Sequence, residues 1–372
     1  MLKRIYIDNF RCFVNFELAV DSINLLLGDN GAGKSTVFDV LRKIQAFVRG
    51  DAKVNDIFDS ANCTRWQTSP IQSFELEIEG NDGTYKYELA IEHLLERHLS
   101  RVLHERLWFD KQPLLKVELG EVQLNRDDYS QGSNYNFDWS QSVLPLIMSR
   151  NDNTKLTWFK ERMERFIIVQ IIPSLMVDDS DRESTRLSPK MENFASWYRH
   201  ISQDQGKAFE ITNALREIFD GFAYFKFTEA GESNRILKVC FSATKSGKYL
   251  EYKLRELSDG YRAIIALYSL IYYTQSGDFT LCLDEPENFL ALAEIQPWLI
   301  QLYDLCTDDK IQALLISHHP EMMNYLLGSP VGYWFARQSH TPTRVKPFSD
   351  LIPEDIGANN ASELIARGWI DG

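Results

Sequence analysis

No run of eighteen apolar residues occurs in the 372-residue chain, so no membrane-spanning helix is expected. The opening Met1-Leu2-Lys3-Arg4-Ile5 enters a strand-like pattern at once and lacks the apolar core of a secretory signal. Cysteine is sparse: Cys12, Cys63, Cys240, Cys282 and Cys306 are scattered, odd in number and without C-x-x-C spacing. That excludes a disulfide framework and a paired-cysteine zinc site, and points to reduced thiols in a cytoplasm. A basic excess is missing too. The net charge is −13, which excludes a surface that coats nucleic acid uniformly but leaves local basic patches open. No sustained heptads are present, so long coiled-coil arms are excluded, and no internal repeat or low-complexity segment interrupts the chain. What remains is ordinary globular material, 44% apolar, in a chain long enough for one large domain or two lobes.

Against that background one stretch stands out. Gly28-Asp29-Asn30-Gly31-Ala32-Gly33-Lys34-Ser35-Thr36 matches G-x-x-x-x-G-K-[ST], the phosphate-binding loop. Ile23-Asn24-Leu25-Leu26-Leu27 before it reads as a buried strand, and Val37 to Ile44 after it has apolar residues at helical spacing. Strand, glycine loop and helix are what the chemistry needs. Glycines let the backbone wrap closely and turn its N–H groups toward phosphate oxygens, and the helix N-terminus adds partial positive charge. In such a loop Lys34 reaches the β- and γ-phosphates of ATP and the Ser35 hydroxyl ligates Mg²⁺.

The rest of the chain supplies a mixed α/β pattern. Residues 2–8 and 16–20 read as strands joined through Asn9-Phe10-Arg11-Cys12-Phe13, and the helix after the glycine loop runs to about Val48. Arg49 to Pro70 is polar and irregular, a surface loop. Residues 74–79 and 85–91 alternate strictly around Asn81-Asp82-Gly83, a hairpin. Strands continue at 101–109, 114–118 and 121–125. From about Trp139 to Gly221 the pattern turns helical, with helices at 191–201 and 209–219. Strands return at 222–228, 235–243 and 248–253, and after His319 come two more strands, 331–336 and 343–348, and a short helix at 361–367. The domains expected are therefore 1–138, a helical insert at 139–221, and 222–372.

The second half carries three further signals. Phe279-Thr280-Leu281-Cys282-Leu283-Asp284-Glu285 is an apolar strand ending in two carboxylates, the Walker B pattern. Such a strand delivers Asp284 to hold Mg²⁺, through water or Ser35, and Glu285 to polarise the attacking water as general base. Leu257-Ser258-Asp259-Gly260-Tyr261 precedes a long apolar helix, where Ser258 is well placed as an N-cap. Leu314-Leu315-Ile316-Ser317-His318-His319-Pro320 is another apolar strand, ending in histidine.

The order P-loop, LSDGY, LCLDEPE and LLISHHP resembles the ABC-type ATPase superfamily. Within it the chain is similar to the SMC/RecF-like ATPases, especially the stand-alone AAA-family ATPases found in bacterial anti-phage loci. KRIYIDNFRCF resembles the opening of that clade, and ENFASWYRHIS and DEPENFLALAEIQPWL are similar to this group. The resemblance covers nearly the whole chain. It implies a P-loop NTPase fold, an ABC-type head with an antiparallel β subdomain. It also implies ATP and Mg²⁺ as ligands and a cytoplasmic homodimer, or higher even assembly, that sandwiches ATP head to tail. Asn30, Gly31, Gly33, Lys34, Ser35 and Thr36 then surround the phosphates. Ser258 and Gly260 reach the γ-phosphate of the opposite subunit, and His318 is the switch histidine, with His319 at the surface or behind it. Gln72 is the candidate Q-loop glutamine. Arg11 either approaches nucleotide or lies on the surface.

Departures matter. LSDGY replaces LSGGQ, and NFLALAE follows DEPE where transporter ATPases carry Ser-Ala-Leu-Asp, which argues against a transporter motor. Only about 50 residues follow His319, too few for the Toprim nuclease of OLD-type relatives, so effector chemistry is expected on another chain. Two function classes follow: a defence ATPase that controls a toxin or nuclease, or a RecF-like DNA-binding ATPase of repair or replication. The clusters Arg97/Arg101/Arg106 and Lys155/Lys160/Arg162/Arg165 are the places where nucleic acid would bind.

Overall fold

The computed structural model describes residues 1–243, 248–275, 277–318, 322, 331–338 and 341–351; His319 and the helix expected at 361–367 lie outside them. The chain forms two compact units, Met1–Phe166 with Leu326–Gly372, and Ile167–Tyr325. The stretch 139–221 is divided between them, up to Phe166 in the first unit and from Ile167 in the second.

In the first unit, β1 (Leu2–Asp8), β2 (Phe16–Ala19) and β3 (Ile23–Gly28) lead into α1 (Lys34–Arg49) and the single turn α2 (Val54–Ile57). Then come β4 (Ile71–Gly80), β5 (Gly83–Leu94), β6 (Leu99–Phe109), β7 (Gln112–Glu118), β8 (Glu121–Asn125), β9 (Gln131–Asn136) and α3 (Thr154–Glu164). All these strands except β3 make one sheet in the order β2-β1-β4-β5-β6-β7-β8-β9. Alternation sets its faces: Gln72, Phe74, Leu76 and Ile78 of β4 all point into the core. Asn81 and Asp82 both take left-handed backbone angles, φ 54° and 60°, the two-residue turn that matches strand twist. α3 covers the sheet by stacking Trp158 on Tyr85 and Phe159 on Tyr87. The Gln45 amide of α1 ties down the end of α3 through the carbonyls of Met163 and Phe166, at 2.7 and 2.8 Å. Under this sheet lies a fully buried carboxyl. Glu105 accepts hydrogen bonds from Tyr87 Oη at 2.9 Å and Ser142 Oγ at 2.7 Å, and burial pushes its pKa up to about 7.

The second unit begins with β10 (Phe166–Gln170), β11 (Asp179–Ser180), α4 (Phe194–Ile201) and α5 (Gln205–Ile218). It continues with β12 (Phe222–Glu229), β13 (Arg235–Ser242), β14 (Tyr249–Lys253), α6 (Asp259–Thr274), β15 (Phe279–Asp284), α7 (Leu292–Thr307) and β16 (Ile311–Ile316). β10, β15 and β16 lie side by side, with β15 and β16 parallel and in register from Phe279 opposite Ile311 to Asp284 opposite Ile316. β16 is buried at every residue, as a strand covered on both faces must be. α6 is buried from Ala263 through Ile271, and the Trp298 indole of α7 donates to the Leu267 carbonyl at 3.0 Å. The chain then returns to the first unit as β17 (Val331–Ala336), parallel to β3, and β18 (Arg344–Pro347), antiparallel to β17. Among the described residues no helix is long and apolar enough to cross a membrane.

Candidate functional site

The glycine loop is built by backbone. Gly28, Gly31 and Gly33 have φ values of 127°, 79° and 107°, conformations that side chains strongly disfavour. A Cβ on Gly28 would stand 2.2 Å from the Phe335 carbonyl oxygen, and one on Gly33 would meet Cys12 Sγ at 2.7 Å. At Gly31 nothing lies within 4 Å, so the crest of the loop is open. Gly33 is the N-cap of α1 and offers no side-chain cap; the Thr36 amide donates to the Gly33 carbonyl at 3.0 Å, and the positive end of the helix faces the loop, where an anion is favoured. Lys34 is buried, and its Nζ donates to the carbonyls of Gly28 at 2.6 Å and Asp29 at 3.0 Å. Ser35 and Thr36 follow on the same turn, and Asn30 is exposed at the loop's outer edge. The loop is braced from the far end of the chain: Thr343 Oγ1 donates to the Ala32 carbonyl at 2.7 Å and Arg337 to that of Gly31 at 3.2 Å.

The second unit holds a cluster built by side chains. Asp284 ends β15, and Glu285 leaves the strand with φ 51°, a left-handed angle that costs a non-glycine residue energy and is found where function holds the backbone. The Glu285 amide still donates to the Ile316 carbonyl at 2.9 Å. Its carboxylate lies 3.4 Å from His318 Nε2 and accepts from Asn288 Nδ2 at 2.6 Å. Glu287 accepts from Ser317 Oγ at 2.5 Å, and burial raises its pKa. Ser258 caps α6, accepting from the Tyr261 amide at 3.3 Å. A Cβ on Gly260 would sit 3.2 Å from the Phe289 carbonyl oxygen, so the signature turn packs closely on the loop that follows Glu285. Thus Glu285 and His318 are brought together, with Gly260 against the same loop. The glycine-loop residues form a separate group in the first unit.

Residues 23–324 match the sequence family described as "AAA domain, putative AbiEii toxin, Type IV TA system". The chain belongs to this AAA-domain family. No curated protein matches it in sequence. Among solved structures, the crystal structure of the SMC head bound to the C-winged helix domain of ScpA is similar at 10% identity and a TM-score of 0.54, covering 93% of this chain and 97% of that one. An SMC head domain from Thermotoga maritima aligns at 14% identity and a TM-score of 0.49, over 93% of this chain and 98% of that one. The AAA-domain protein therefore has the mixed α/β fold of the SMC-like ABC-type heads.

One expected site residue of this AAA-domain protein lies inside the core. β4 begins at Ile71, so Gln72 falls on the core face with Phe74 and is fully buried, its amide next to the Cys63 thiol. Arg11 pairs with Asp39 at 3.0 Å and with Asn62 at 3.0 Å. Most cations of the two basic clusters are engaged within the chain. Arg101 pairs with Glu92 at 2.7 Å and Arg106 with Glu118 at 2.5 Å. Lys155 donates to Asp127 O at 2.9 Å and lies over the Tyr129 ring, Lys160 donates to Ile147 O at 2.5 Å, and Arg162 is buried on Phe166.

Sequence reasoning missed Glu287, Ser317, Arg337 and Thr343. Only the nearness of Glu287 to Glu285 and of Ser317 to His318 was visible; the two braces sit more than 300 residues from the loop they hold. Asn9, quoted only as part of the opening motif, is a buried hub. Its Nδ2 donates to Ser69 and Ile71 carbonyls at 2.7 and 2.8 Å, and its Oδ1 accepts from the Thr64 amide at 3.0 Å.

Proposed function

We propose that this AAA-domain protein binds and hydrolyses ATP and uses the cycle as a switch on a partner effector, a toxin or nuclease, in anti-phage defence. The single observation that carries this is the glycine loop closed on its own buried lysine at the N-terminus of a long helix. The loop's backbone, from Asn30 through Gly31 and Gly33 to Thr36, surrounds the phosphates, and Lys34 exchanges its two loop carbonyls for β- and γ-phosphate oxygens. Ser35 and Asp284 supply the hard oxygen donors that suit Mg²⁺. Bound there, Mg²⁺ neutralises phosphate charge. Glu285 is the general base for the attacking water, and its place beside His318, on a strained backbone, supports that role. His318 senses the γ-phosphate. Gln72, sealed in the core, has no part.

Head-to-tail dimerisation places Ser258 and Gly260 of one subunit at the nucleotide of the other, so that ATP closes the pair and hydrolysis opens it. The toxin–antitoxin system in the family's description supports the defence setting. The similar SMC head seen with a winged-helix domain supports a separate protein partner. Arg101 and Arg106 are held in ion pairs and Lys155, Lys160 and Arg162 in contacts within the chain, which gives the DNA-binding alternative no support.

Glu285→Gln tests the core of this. The variant keeps shape and hydrogen bonding but loses the charge, so it binds ATP normally and hydrolyses it slower by on the order of a hundredfold or more. It also accumulates as a closed ATP-bound dimer in light scattering, and Ser258→Arg added to it blocks closure. Full turnover in Glu285→Gln removes the catalytic assignment; closure indifferent to Ser258→Arg removes the sandwich.

A further inference from the structure

Between Glu285 and His318 sits a second carboxyl that hydrolysis leaves without a task. Glu287 is only slightly exposed, and its Oε2 is sealed from solvent with no hydrogen-bond partner. Its carboxyl instead serves the end of β16. Oε1 takes the 2.5 Å hydrogen bond from Ser317 Oγ, and the backbone amide of His318 adds to the same carboxyl. Ser317 is buried, whereas the His318 side chain is 39% exposed. The ring meets Glu285 through Nε2, and where it can reach depends on how its backbone is held. That backbone is gripped at two consecutive residues by Glu287. The path closes on itself: Glu287 to Ser317, Ser317 to His318, His318 Nε2 to Glu285 at 3.4 Å, and Glu285 back along the chain to Glu287.

We propose that Glu287 is the positioning residue of the hydrolytic centre, clamping Ser317 and the His318 amide so that the imidazole stays against the Glu285 carboxylate. The inference rests on the ATP hydrolysis proposed above. An apolar residue would fill the same space but leave the Ser317 hydroxyl and the His318 amide without this acceptor, which is costly in a buried place.

The test compares Glu287→Ala, Glu287→Gln and Ser317→Ala with the full-length wild type by two readouts. In turnover, Glu287→Ala keeps the KM for ATP and loses kcat by about ten- to a hundredfold, the usual cost of a misplaced catalytic group. Glu287→Gln, whose amide oxygen still accepts both hydrogen bonds, restores most of it, and Ser317→Ala falls between. In NMR of the nucleotide-free protein, the His318 ring resonance, assigned through His318→Gln, moves in Glu287→Ala and returns in Glu287→Gln. Wild-type kcat in Glu287→Ala, or an unmoved His318 resonance, overturns the proposal. If Glu287→Ala does not fold, Ser317→Ala decides by the same two readouts. Failure of the ATPase assignment looks different: the wild type itself turns over no ATP, while the His318 resonance still reports on the clamp.

Discussion

The glycine loop and the Glu285–His318 cluster are two ways of building a site. The loop is made of main chain: three left-handed glycines, carbonyls held by Lys34, and a helix end. The cluster is made of side chains from two segments about thirty residues apart, Glu285 to Asn288 and Ser317 to His318. Main chain is indifferent to residue type until a Cβ is added, and then it fails sharply. Side-chain clusters fail by degrees, because a neighbour of similar shape keeps part of the hydrogen bonding.

Substitutions can break or sharpen this contrast. The largest effect is expected at Gly28. Gly28→Ala places a methyl 2.2 Å from a backbone oxygen at φ 127°, so it should cost roughly 3–5 kcal/mol of stability and be visible in chemical denaturation. A fully stable Gly28→Ala would mean that the loop is not main-chain limited.

Next is Glu105, a side-chain cluster in the same unit as the loop. Its folded pKa of about 7 lies above its ordinary 4.5, so the folded state holds the proton more tightly. Its contribution is fully present below pH 4.5 and lost as pH rises through 7. By pH 8 the loss reaches about 3 kcal/mol. Glu105→Gln keeps the acceptor for Tyr87 and Ser142, and its denaturation midpoint should stay flat where that of the wild type declines. Parallel curves for the two proteins would exclude Glu105 as the source.

Lys34→Ala comes third. Losing a charged donor to phosphate weakens ATP binding by about tenfold to a hundredfold, on the scale of 1.5–3 kcal/mol per such bond. Unchanged affinity in equilibrium binding would remove the loop assignment. The smallest effect belongs to Gly31→Ala, at about 1 kcal/mol, since only the backbone angle opposes it and no atom stands in the way. The gap between Gly28 and Gly31 is the sharpest measure of how locally the loop is held.

What was legible from the amino acids follows from range. The glycine loop, the hairpin at Asn81-Asp82 and the apolar β15 are encoded within a few residues, so pattern alone finds them. β10, Phe166-Ile167-Ile168-Val169-Gln170, was absorbed into a helical stretch because a short apolar run has no periodicity of its own; its β-branched residues were the usable signal. α7 went unmarked because Pro297 lies inside it, where proline normally argues against helix. Gln72 stands two residues ahead of the strand that alternation begins at Phe74, but β4 already starts at Ile71, so period two carries Gln72 into the core. The clamp of Glu287 on Ser317 and the braces at Arg337 and Thr343 were invisible, since nothing local to either partner announces the other.

Those braces also give the protein a clock. β3 gains its parallel partner β17 only when Val331–Ala336 have been made, and the glycine loop gains Arg337 and Thr343 later still. A ribosome that has already released α1 is holding a loop without its supports. The loop is therefore completed only once Thr343 has been made, and a chain broken off after His318 carries the glycine loop and the Glu285–His318 cluster and still lacks the two braces.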